Sequence, residues 1–187
     1  MPDRAFRYGI EHEAALVHVG DGFADYTSVG FDELQAVVDA LPQDPADYPD
    51  LRVGDQGIKR KRWYVEGYER FDERGELVRC DPKGLEVRTR IHAAIEPTVA
   101  ALREDLRLLD AQLARTGLRA TTVAFNPVRS EYRIEPPLND WERTHRLGSP
   151  EERTAHLHMS TYGPDLNLSC PALDEAALVE RRAGQVQ

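Results

Sequence analysis

Glu11 and Glu13 stand two positions apart in Phe6-Arg7-Tyr8-Gly9-Ile10-Glu11-His12-Glu13-Ala14-Ala15-Leu16-Val17, a segment that reads as a β-strand. Strand side chains alternate between faces, so both carboxylates point the same way, with Cα atoms about 7 Å apart at roughly 3.4 Å per residue. Paired acids repel unless solvent, a proton or a cation separates them. Mg²⁺ is commonly held by one or two carboxylates plus substrate phosphates, so the spacing suits a hard cation. A solvated acidic strand face is the plainer alternative, and this segment alone does not separate the two.

Acids recur on other strand-like segments: Glu66 and Glu69 within residues 63–71, and Glu86 beside Arg88 within 85–90. Glu66 and Glu69 fall on opposite faces of a regular strand, so at most one joins the first pair without a bulge. Glu66, which shares a face with Tyr64, Tyr68 and Arg70, is the favoured one. Carboxylates on several strands interleaved with arginines suit Mg²⁺ and anionic substrates, against the alternative of a salt-bridged surface. The planar donors of Arg88 fit a carboxylate or a phosphate. His156-Leu157-His158-Met159-Ser160 reads as a last strand, with His156, His158 and Ser160 on one face where they could meet a metal or phosphate. Cysteine ligands are not clustered with them, which weakens zinc. No Walker loop, dinucleotide glycine fingerprint or nucleophile elbow is present.

The elements that must position these residues follow from periodicity. Residues 31–41 carry Leu34, Val37, Val38 and Leu41 on one helical face before Pro42, and 42–50 is a Pro/Asp-rich loop. Residues 23–29 read as a weak second strand. A hairpin is expected from 63–71 and 76–80 around Asp72-Glu73-Arg74-Gly75, with a break at Asp81-Pro82-Lys83-Gly84 before the strand at 85–90. The clearest helix spans 93–116, with Ile95, Val99, Leu102, Leu106, Leu109 and Leu113 as its apolar stripe. Residues 118–125 read as a strand, 126–150 as a Pro-rich connection, and Asp174 opens a last helix.

The 187 residues, 41% hydrophobic, suit a single domain spanning 1–187 with a real core. The expected fold class is α+β: a mostly antiparallel sheet with a polar site face, and helices 31–41 and 93–116 on the other. A formal net charge of −9 argues against a nucleic-acid partner, and the run Lys59-Arg60-Lys61-Arg62 reads as a solvated flank. No membrane partner is expected, since no apolar run is long enough to span a bilayer. Cys80 and Cys170 have neither metal nor redox spacing, and the expected location is the reducing cytoplasm.

Several of these strings resemble the glutamate–cysteine ligase and related carboxylate–amine ligase family, which shares a catalytic sheet with glutamine synthetase. Gly9-Ile10-Glu11-His12-Glu13 is similar to that family's strand with two metal-binding glutamates, and Gly84-Leu85-Glu86-Val87-Arg88-Thr89 to a later strand whose glutamate faces the active centre. Phe125-Asn126-Pro127 sits where members have Gly-x-His-Pro, here without the histidine. His156-Leu157-His158 is similar to the H-x-H strand that lies against metal and phosphates. Arg52-Val53-Gly54-Asp55-Gln56-Gly57-Ile58-Lys59, Trp63-Tyr64-Val65-Glu66-Gly67-Tyr68-Glu69-Arg70-Phe71 and Thr161-Tyr162-Gly163-Pro164-Asp165-Leu166-Asn167-Leu168-Ser169 resemble a bacterial branch of it.

The resemblance implies ATP and Mg²⁺ or Mn²⁺ as cofactors, with glutamate and an amine such as cysteine as substrates. It implies Glu11, Glu13 and Glu86 as metal ligands, with Arg88 beside them in catalysis. His156, His158 and Ser160 would lie at the nucleotide, and Glu66, Arg88 and Asn126 at the substrate. Members are usually about twice as long, so the chain is expected to correspond to an N-terminal half, or to a short form working as a homo-oligomer. A noncatalytic amino-acid or nucleotide-binding half-domain and a metal-dependent amide hydrolase remain alternatives.

Overall fold

The computed structural model describes residues 6–42, 62–146 and 150–169. The loop expected over 43–50, the string 52–59, most of the basic run, Cys170 and the helix from Asp174 lie outside them. The fold is α+β, with six antiparallel strands and four helices among the described residues. No helix among those residues is long and apolar enough to cross a membrane.

The strand β1 (Arg7–His18) runs through the middle of the sheet and changes partners partway along. On one side it pairs first with β4 (Leu77–Arg88) and then with the short β2 (Gly22–Ala24). On the other side it pairs first with β6 (Pro164–Ser169) and then with β5 (Leu118–Thr121). β3 (Trp63–Phe71) completes the sheet beyond β4. Ala14, Leu16, Trp63, Val65, Leu85 and Val87 meet the helices α1 (Phe31–Asp39) and α2 (Ile95–Leu113) in the main core. The alternate residues of the same strands carry the carboxylates, so one period of two supplies both core and site.

Several expected elements differ. The weak strand at 23–29 shrinks to the three residues of β2, and β5 ends at Thr121, leaving Phe125 exposed. The break at 81–84 is instead a β-bulge within one twelve-residue strand: Glu66 pairs with Gly84, and Gly67 with Pro82, which leaves Lys83 as the extra residue. Glycine is required at both partners. A Cβ on Gly67 would strike the Asp81 carbonyl, and one on Gly84 the Ala14 carbonyl.

The connection at 126–150 contains a helix, α3 (Asp140–Arg146), opened by a capping box. Asn139 Oδ1 accepts the Glu142 N–H at 2.9 Å, and Glu142 Oε2 accepts the Asn139 N–H at 3.0 Å. The expected last strand at 156–160 is also helical, forming the end of α4 (Pro150–Ser160). Ala155 and Met159, four apart, bury against Tyr68 and Tyr132, so the period is helical and the H-x-H alternation has no strand beneath it. On α2 the buried track runs through Thr98, Asp105, Leu109 and Leu113, while Ile95 and Val99 are exposed. Asp105 takes an inward position by pairing with Arg62 at 3.1 Å.

Leu109 is fully buried, whereas Leu106 is only partly so. Leu109→Ala should therefore cost about 2–5 kcal/mol in urea unfolding, with Leu106→Ala costing clearly less. Glu142, fully buried, accepts from Arg70 at 2.7 and 3.0 Å and from the Phe71 N–H at 3.0 Å. Burial alone would raise its pKa, but these bonds outweigh it and bring it down to about 2. The stability it contributes is complete above its ordinary value of 4.5 and is lost as pH falls towards 2. Glu142→Gln should remove that acid-side slope in pH-dependent unfolding.

Candidate functional site

Register builds the site. Across β1, β4 and β3, Glu13 pairs with Glu86 and Glu86 with Tyr64, while in the next row Glu11 lies between Arg88 and Asp165 of β6. Glu66 enters from β3 two pairs further along, opposite Gly84. Glu11, Glu13, Glu66 and Glu86 thus share one sheet face.

Two cations are fixed among them. Arg88 donates through Nε to Glu86 Oε1 at 2.9 Å and through Nη2 to the Tyr64 hydroxyl at 2.5 Å, and Nη2 lies 3.6 Å from Glu11 Oε2. Lys83, 1% exposed, is a site residue that the expected chain break at 81–84 does not point to. The bulge turns it inward, and its ammonium donates to Glu13 Oε1 at 2.6 Å and to the His158 and Thr161 carbonyls at 2.8 and 3.0 Å. Tyr162 holds the Lys83 carbonyl through its hydroxyl at 3.0 Å. The Pro-Lys-Gly sequence inside an otherwise strand-like run was the available signal for such a bulge.

Of the three residues expected on a shared strand face, the helix delivers one to the acids. His158 Nε2 lies 3.3 Å from Glu66 Oε1. His156 is exposed on α4, and its carbonyl accepts the Ser160 hydroxyl at 2.5 Å, a bond within the helix. Asn126 is engaged in holding a loop: Nδ2 donates to Asp25 at 3.0 Å, and Oδ1 accepts the Val128 and Arg129 N–H groups at 2.9 Å each. The expected metal set of Glu11, Glu13 and Glu86 lies on one face, but the tight group is different: ligand atoms of Glu13, Glu66 and His158 all lie within 4.8 Å of one another.

The electrostatics are unbalanced. Burial raises the pKa of Glu66 well above the usual carboxylate range, and the Glu86 charge adds to this. Burial also raises Glu13 in spite of the Lys83 ammonium, and Glu11 in spite of Arg88. Among the described residues, Lys83 and Arg88 offset only part of the charge when the four glutamates ionise, and Asp165 beside Glu11 adds to the excess, so negative charge is left that a divalent cation would offset. Two carboxylates and an imidazole form a donor set that such a cation accepts.

Raised carboxyl pKa values have a sign that can be tested. Between the ordinary value of 4.5 and the raised folded value, the folded state holds a proton that the unfolded state has released, so stability falls as pH rises. Metal-free protein should lose stability upwards from about pH 4.5, Glu66→Gln should flatten that limb, and Mn²⁺ should restore stability most at the alkaline end. A metal-free stability that rises through this window would contradict the site. No protein-family model matches the chain and no curated protein matches it significantly, which leaves the geometry of this face to carry the functional assignment.

Proposed function

We propose that this chain is an ATP- and divalent-metal-dependent carboxylate–amine ligase of the glutamate–cysteine ligase type, joining the side-chain carboxylate of glutamate to an amine such as that of cysteine. The observation that supports it most is the convergence of Glu11, Glu13, Glu66 and Glu86 on one face, with negative charge left after Lys83 and Arg88. On this reading Glu13, Glu66 and His158 hold Mg²⁺ or Mn²⁺, with Glu11 and Glu86 beside them. The bound cation would neutralise the triphosphate and polarise the transferred phosphoryl group.

The chain's own residues supply alignment. Lys83 fixes the Glu13 carboxylate, and Arg88 fixes Glu86 while keeping Tyr64 hydrogen-bonded. Burial keeps the Tyr64 hydroxyl protonated, so it accepts from Arg88 without adding a charge. The γ-carboxylate of substrate glutamate attacks the γ-phosphorus of ATP and ADP leaves. The amine then attacks the resulting acyl phosphate, with loss of inorganic phosphate. Such chemistry needs positioned charge rather than a protein nucleophile.

ADP formation should require glutamate, an amine and Mg²⁺ or Mn²⁺ together, and Glu13→Gln should lower it by roughly 10²–10³-fold, the cost of losing one electrostatic stabiliser. In calorimetric titration, Mn²⁺ affinity should fall in both Glu13→Gln and Glu66→Gln by more than the roughly 10–100-fold that outer-shell changes cost. Unchanged affinity in both would sink the metal site. Metal and nucleotide binding without ADP formation would replace the ligase by a binding module, and amide cleavage without ATP would replace it by a hydrolase.

A further inference from the structure

On the reverse side of β1 from the carboxylates, α2 and β5 border a cleft of about 310 Å³. That is near the lower end of the roughly 300–1,000 Å³ typical of small-molecule sites. Three arginines and one carboxylate, Asp110, line it, a cationic balance in a chain of formal net charge −9. Arg103 and Arg107 rise from one face of α2, and Arg119 enters from β5.

The three arginines are not equally committed. Arg107 donates to both Glu104 oxygens at 2.8 Å. Arg119 lies 3.6 Å from Asp110, a loose pair, and Arg103 has no ion pair among the described residues. The hydroxyls of Thr121 and Thr122, which also line the cleft, have no hydrogen bond among those residues. Leu106 and Ala120 give it an apolar part.

We propose that this cleft is a second binding site that takes the carboxylate or phosphate group of a small metabolite between Arg103 and Arg119. A guanidinium fork with no carboxylate of its own presents parallel N–H donors matched to two oxygens of such a group. The threonine hydroxyls supply further donors, and Leu106 and Ala120 offer contact to the carbon portion. The site shares no side chain with the acidic face, so it stands whether or not the chain is a ligase.

The test is titration of the full chain with inorganic phosphate and, separately, with succinate, in EDTA at constant ionic strength. At least one probe should bind saturably, and which binds tighter identifies phosphate or carboxylate as the preferred group. Arg103→Gln should weaken that binding about tenfold or more, the scale of a lost charge-assisted hydrogen bond. Thr122→Val should weaken it too, while Glu13→Gln and the distant Arg133→Gln should leave it unchanged. Failure of both probes to saturate, or wild-type affinity in Arg103→Gln with its fold intact by circular dichroism, would overturn the proposal. Loss in Glu13→Gln but not in Arg103→Gln would overturn it as well, by moving the anion to the other face.

Discussion

The ammonium group of Lys83 lies, almost wholly buried, where a β-bulge, the central strand and the end of a helix meet. Taking an ammonium out of water costs several kcal/mol even after relaxation, so it stays inside only where its protons find strong acceptors. Here three acceptors match its three protons: the Glu13 carboxylate and two carbonyls where α4 ends. Carbonyls at a helix C-terminus carry the negative end of the helix dipole and lack partners within the helix, so a cation there satisfies both needs. The bulge exists to aim this side chain, and the glycines at 67 and 84 exist to permit the bulge.

Around that anchor the sheet accumulates charge that the described residues do not cancel. Burial opposes ionisation of Glu11, Glu13 and Glu66, so the face is costly in the form that chemistry would require. The contrast with Glu142 is instructive. That carboxylate is more completely buried, yet it is stabilised as an anion because Arg70 and two backbone N–H groups meet it directly. A structural carboxylate is saturated by its neighbours, whereas those of the acidic face are under-compensated, which is the condition expected of a ligand site.

Most of the sheet, both core helices and the acidic rows were legible because they rest on local periodicity, whereas β6 was not expected and the strand expected at 156–160 is helical. Glu11 and Glu13 alternate with Ala14 and Leu16, and Glu86 with Leu85 and Val87, patterns that need no tertiary information. What was hidden depended on partners far away in the chain. Lys83 looked like part of a turn because a bulge is defined by the strand opposite it. His156 and His158 looked like one strand face because alternation over five residues resembles a strand, although Ala155 and Met159 were keeping helical spacing. The Asn139-Asp140-Trp141-Glu142 capping box is a local signal, but it lies inside a proline-rich stretch with little periodicity. Asp105 could not be placed inward without knowing that Arg62 would meet it.

Because β1 presents carboxylates on one side and core residues on the other, it is a strand in which length itself is under constraint. Inserting or deleting a single residue near Glu11 would exchange the two faces beyond that point, sending acids towards α2 and Ala14 towards water. The hairpin turn at Asp72–Gly75 is free of that penalty, since its tip serves neither face. Homologous chains should therefore vary in length at such turns and keep β1 indel-free, a pattern that would mark this strand even where its side chains have diverged.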